Sequence, residues 1–168
     1  HRVNDACSTP PPSAEPTPLP FVEQGRICQV TDTGGLNDSY FNQLIYEGVQ
    51  QAAGQHGWEA TVLESPAASD FEKNINALVG SGCQVIVAPG SLVEAVGKAA
   101  LANPEQRFMV TDFVLDVQPD NLWTQVFATD QAAFLAGYAA ASATKTGKLG
   151  VFGGVDIPQV TGFMDGFA

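Results

Sequence analysis

The sequence predicts an α/β fold: a parallel sheet flanked by helices. Three observations carry that expectation. Apolar runs and helical stretches alternate from Arg26 onward. Several of the runs are nearly continuous in β-branched residues, as strands buried on both faces are. The first four runs are separated by helical stretches, the rhythm of right-handed βαβ units with helices on both faces of the sheet.

Taken in order, RICQVTD (26–32) reads as the first strand, and the loop after it leads to a helix on which Phe41, Leu44, Ile45, Val49, Ala52 and Ala53 recur at helical spacing, closed by Gly54 and Gly57. WEATVLES (58–65) is the second strand, followed by a helix carrying Phe71, Ile75, Leu78 and Val79. CQVIVAPG (83–90) is the third, and its helix carries Leu92, Val93, Val96, Ala99 and Ala100. RFMVTDF (107–113) and LWTQVFAT (122–129) are the fourth and fifth strands, a helix rich in Ala and Gly covers 130–144, and KLGVFGG (148–154) reads as a sixth strand. Ahead of all this lies STPPPSAEPTPLP, whose composition builds no core and predicts an extended spacer. The expected division is a tail and spacer over 1–25, an amino-terminal lobe over 26–145, and a further segment over 146–168.

Composition narrows the function classes. Seven Lys and Arg against eighteen Asp and Glu give a net charge of −11, which excludes the basic face that nucleic-acid phosphates require. No apolar run reaches the roughly eighteen residues of a membrane span. Of three cysteines, Cys28 and Cys83 fall in expected strands and read as small buried hydrophobes, with their pairing left open. Cys7 stands before the spacer, where a bacterial lipoprotein carries its lipidated first residue; the alternative is an incidental thiol in a tail. Asn4 departs from the aliphatic residue that a lipidation signal places three before the cysteine.

In an open sheet of this kind ligands sit beyond the carboxyl ends of the strands. That rim holds Asp32, Gly34 and Gly35 after the first strand, Ser65 after the second, Gly90 and Ser91 after the third, Asp112 after the fourth and Asp130 after the fifth. Lys and Arg fall elsewhere, so carboxylates would repel an anion there. The expected ligand is neutral or cationic, with Asp32 and Asp112 accepting hydrogen bonds from it. Each residue also has a plainer reading: Asp32 as organiser of the Gly34–Gly35 turn, Asp38 as a helix cap, Phe41 as core packing, Asn42 as solvated. Enzyme chemistry finds little support. His1 lies in the tail and His56 in a turn at the opposite edge, so no Ser/His/Asp arrangement forms. No HxH, HExxH or CxxC spacing offers a metal site, and neither metal nor cofactor is expected.

TDTGGLNDSYFNQ (31–43), VTD (110–112), ATDQAAFLAGYAA (128–140) and GKLGVFGGVDIPQVTGFMDGF (147–167) together resemble the BMP family, nucleoside-binding lipoproteins of ABC transporters with the two-lobed fold of type I periplasmic binding proteins. The resemblance implies that this chain is the amino-terminal lobe with the start of a second, similar lobe. It implies further that Phe41 is one of two aromatics sandwiching a base, and that Asp32, Asn42 and Asp112 meet the polar edge of that base. It implies a nucleoside ligand, purine before pyrimidine, and an ABC permease partner. The protein would sit at the bacterial cell surface or in the periplasm, touching the membrane only through a lipid on Cys7. Where the family usually has Ser before the Phe-Asn pair, this chain has Tyr40. A receptor of the same fold that presents its ligand to a membrane sensor, and an α/β enzyme with catalytic residues in a second lobe, are the alternatives.

Overall fold

A computed structural model describes residues 23–154 and 156–168. Cys7 and the spacer lie outside the described residues. Five strands, β1 (Arg26–Val30), β2 (Glu59–Leu63), β3 (Val85–Pro89), β4 (Arg107–Thr111) and β5 (Leu122–Gln125), form one sheet in the order β2-β1-β3-β4-β5. Every neighbouring pair is parallel. The helices are α1 (Phe41–His56), α2 (Phe71–Gly80), α3 (Val93–Ala102), α4 (Thr129–Ala143) and α5 (Pro158–Phe167).

Side chains alternate across each strand, so the two faces of the sheet are set by residue parity. Cys28, Val30, Ile86, Ala88, Phe108 and Val110 point one way and are buried with Ile75 and Leu78 of α2 and Val93 and Val96 of α3 in the main core. Burying each large aliphatic or aromatic side chain is worth about 1.5–3 kcal/mol, and this face supplies most of the lobe's stability. The opposite face carries Ile27, Val85, Val87 and Met109 and packs against α1. Beyond α1 an open groove of about 550 Å³ runs along it, walled on its far side by Trp123, Gln125 and Phe127. The left-handed Gly57 (φ 67°) ends α1, and Trp58 N–H then donates to Ala53 O at 2.8 Å. Only glycine adopts that conformation without strain.

Two expectations need correction. KLGVFGG forms no strand among the described residues, since no neighbouring strand offers it a hydrogen-bond ladder, and Phe152 is 93% exposed. Cys83 precedes β3 instead of lying within it, and it forms a disulfide with Cys28 of β1 (Cα–Cα 5.9 Å). Both sulfurs are buried, as expected, but as a covalent link between neighbouring strands. After β5 the chain enters α4, whose main tertiary partner is α5. The two cross closely at glycines: a Cβ on Gly137 would collide with Phe167 O, and one on Gly166 would collide with Asp130 O.

Candidate functional site

The loops after β1, β3 and β4 meet at the carboxyl edge of the sheet, where the strand order reverses between β1 and β3, the usual place for a ligand. Side chains lace them together. Asp32 Oδ1 accepts Gly34 N–H at 2.9 Å and Asn42 Nδ2 at 2.7 Å, and Asp32 Oδ2 accepts Ser91 Oγ at 2.8 Å. Gly90 comes so near the next loop that a Cβ there would meet Thr111 O at 2.8 Å and Asp112 O at 3.1 Å. Glu64 Oε2, after β2, accepts Leu36 N–H at 2.8 Å and pins the far end of the glycine loop.

The four residues expected to meet a ligand are all on this rim, and the hydrogen bonds divide them into two kinds. Asn42 is 1% exposed. Its Oδ1 accepts Asp32 N–H at 3.2 Å, its Nδ2 donates to Asp32 and to Asp38 Oδ2 (2.9 Å), and its carbonyl accepts Gln29 Nε2 at 2.9 Å. Asn42 has no donor left for a ligand and serves to fix α1 onto β1. Asp32 has three of its roughly four acceptor positions filled by protein donors, so its main work is the ordering of the Gly34–Gly35 turn. Gly35 has φ 69°, and its N–H donates to Asp32 O at 3.2 Å.

Phe41 and Asp112 are the other kind. The Phe41 ring is 37% exposed at the first residue of α1, between the rim and the mouth of the groove. Asp112 N–H donates to Gln125 O at 2.6 Å, while its carboxylate meets no hydrogen-bond donor among the described residues. Burial pushes the Asp112 carboxyl above its ordinary value. Its backbone is left-handed (φ 63°), as is that of Ser39 (φ 57°). These are the two non-glycine residues in that region of conformational space among those described, and both sit on this rim. Strain of this kind, about 1–3 kcal/mol per residue, persists where the surroundings over-determine it and gathers at functional sites.

Asp38 caps α1 as expected, but from two residues ahead of the formal cap position at Tyr40. Its carboxylate accepts the backbone N–H groups of Tyr40 (2.8 Å), Asn42 (2.9 Å) and Gln43 (3.2 Å). Burial works against its charge, but these bonds outweigh that and hold the carboxyl below its ordinary value. Sequence reading missed the Ser91–Asp32 bond, because which rim hydroxyl faces which carboxylate depends on strand order. Two cations are paired away from Asp32 and Asp112: Arg26 with Glu59 at the opposite edge, and Lys98 on α3 with Glu72 on α2.

The network makes a stability prediction. Asn42→Ala leaves the Asp32 N–H and an acceptor of Asp38 without their buried partner and should lower unfolding free energy by roughly 1–3 kcal/mol. Urea titration of the variant against the parent measures it, and an unchanged midpoint would mean that water replaces the amide at no cost.

Residues 27–168 match the model of the Bmp family, described as ABC transporter substrate-binding protein PnrA-like. The chain is 38% identical over 143 residues to the ABC transporter nucleoside-binding protein BmpA of Lactococcus lactis subsp. cremoris, covering 82% of this chain and 40% of that protein. It is 31% identical over 147 residues to the CD4+ T-cell-stimulating antigen of Listeria monocytogenes, covering 84% and 41%, and 31% identical over 137 residues to basic membrane protein A of Borreliella burgdorferi, covering 80% and 40%. The chain thus spans about two fifths of the length of the curated relatives it matches. Among solved structures, an ABC transporter solute-binding protein of Aeropyrum pernix superposes with TM-score 0.72 at 24% identity, over 85% of this chain and 41% of that one. The transcription regulator CcpA of Lactococcus lactis superposes with TM-score 0.66 at 18% identity, over 86% and 52%. Transporters and gene regulators share this fold, so the fold alone does not choose between their functions.

Proposed function

The chain belongs to the Bmp family of ABC transporter substrate-binding proteins, and from that premise we propose that residues 26–145 form one wall of a cleft that captures a nucleoside, with purines preferred, for delivery to an ABC permease. The family is one of substrate-binding proteins and not of enzymes, and in this reading the chain breaks no bond. The observation that carries the proposal is the pairing, on one rim, of an exposed aromatic ring at Phe41 with a carboxylate at Asp112 that meets no donor among the described residues. A flat base stacks on an aromatic face while its N–H groups seek acceptors. The Lactococcus relative, named as nucleoside-binding, supports the same ligand class.

Residues 146–168 open the second lobe in this proposal. Closure of the second lobe over the first would exclude water from the base, and the closed form would be what the permease engages. The protein works outside the cytoplasm, held by a lipid on Cys7. The Cys28–Cys83 disulfide fits an oxidising compartment, and no helix among the described residues is long and apolar enough to cross a membrane.

Calorimetry on a polypeptide carrying both lobes tests the proposal. Uncharged nucleosides should bind, and their 5′-monophosphates should bind more weakly, because the rim offers carboxylates and no cation. Monophosphates binding as tightly as nucleosides would overturn it. The same titration should show affinity falling with pH as Asp112 takes up a proton and ceases to be a pure acceptor. Because burial raises the Asp112 carboxyl, that fall begins at higher pH than for an ordinary aspartate. Asp112→Asn should flatten the pH dependence.

A further inference from the structure

Tyr40 takes no part in the rim network through its side chain, yet its ring stands nearly perpendicular to that of Phe41, with an interplanar angle of 85° and centroids 4.8 Å apart. Edge-to-face aromatic pairs of this spacing are attractive beyond the area they bury. In a core such a pair needs no explanation. Here Tyr40 is 63% exposed and Phe41 37% exposed, so the pair stands in solvent at the mouth of the site.

The backbone beneath the pair is held from several sides. Tyr40 N–H donates to Asp38 Oδ1 at 2.8 Å, and Tyr40 O accepts Leu44 N–H at 3.0 Å. Ser39, immediately before, is held in a left-handed conformation. Asp38 itself is fixed by Asn42 at 2.9 Å. The backbone that carries the two rings is thus fixed by the same carboxylate that caps α1. A lone exposed Phe turns freely about its ring bond, and a ligand stacking on it must stop that motion. A second ring packed against it removes the freedom beforehand.

We propose that Tyr40 is a positioning residue for the ligand: its perpendicular ring fixes the plane in which Phe41 offers its face to a planar heterocycle. The inference rests on the proposed function and names a positioning element within the same site. The ring does this work and the hydroxyl does not, so Tyr40→Phe keeps it and Tyr40→Ser loses it.

The test uses a polypeptide carrying both lobes, titrated by calorimetry with a nucleoside and with the corresponding free base. Tyr40→Ser should weaken both by the same factor, about two- to tenfold, the cost of immobilising one side chain on binding. Tyr40→Phe should bind like the parent and melt with it, while unliganded Tyr40→Ser loses the ring pair and should melt a few degrees lower. Two results would each overturn the inference: Tyr40→Ser binding, per folded molecule, as tightly as the parent, or Tyr40→Phe binding as weakly as Tyr40→Ser. A parent protein that binds neither compound would overturn the proposed function and this inference with it. That result is distinct from a parent that binds and a Tyr40→Ser variant that binds equally well.

Discussion

Reduction of the Cys28–Cys83 disulfide should lower the unfolding free energy of the lobe by about 2–4 kcal/mol. The two cysteines are 55 residues apart in sequence, and closing a loop of that length removes enough freedom from the unfolded chain to place the effect toward the upper end of the range. The bond joins β1 to the turn ahead of β3, so the loop it closes contains α1, β2 and α2. Urea unfolding with and without a reductant measures the difference, and the double variant Cys28→Ala/Cys83→Ala should be reductant-insensitive and of similarly reduced stability. Identical midpoints for the parent in both conditions would show that the thiols are not joined in solution.

Phe41→Ala should weaken nucleoside binding by roughly 1–3 kcal/mol, the range for a base stacked on an aromatic ring, and Phe41→Tyr should retain much of the affinity. The structure separates this effect from simple packing. A fully buried Phe replaced by Ala costs about 3–5 kcal/mol of stability, but the Phe41 ring is 37% exposed and rests at the edge of an open groove. The unliganded variant should therefore melt close to the parent while its affinity falls. A large drop in melting temperature with unchanged affinity per folded molecule would assign Phe41 to the core.

The strands were the legible part of this chain. Runs such as RICQV and VIVAP are apolar on both faces because helices cover both, and that leaves a direct mark on composition. KLGVFGG carries the same mark and forms no strand, because a strand exists only with a neighbour to pair with and residue order does not supply one. The pairing of the cysteines stays open in the sequence for a related reason. Burial follows from their apolar surroundings, whereas pairing depends on β1 and β3 being adjacent, which strand order decides and sequence does not state. At the site, the rim itself followed from the rule that ligands bind beyond strand ends, and Asp32, Phe41, Asn42 and Asp112 were all found there. Their roles were less legible. Asn42 and Asp32 look from sequence like ligand contacts, but their hydrogen-bonding groups are largely consumed by each other, by Asp38 and by Ser91. Asp112 gave no sign of its left-handed backbone, since aspartate tolerates that conformation without any neighbouring glycine to announce it.

The bond from Ser91 to Asp32, with the close approach of Gly90 to the loop after β4, has a thermodynamic consequence. Loops that are free in the empty protein must be ordered when a ligand arrives, and immobilising each rotamer-rich side chain costs about 0.5–1.5 kcal/mol of affinity. Here three loops are already tied to one another, so their loss of entropy falls on folding the lobe. A ligand reaching this wall meets it in its final shape, and the entropy still to be lost on binding resides in the ligand and in the swing of whatever closes over it.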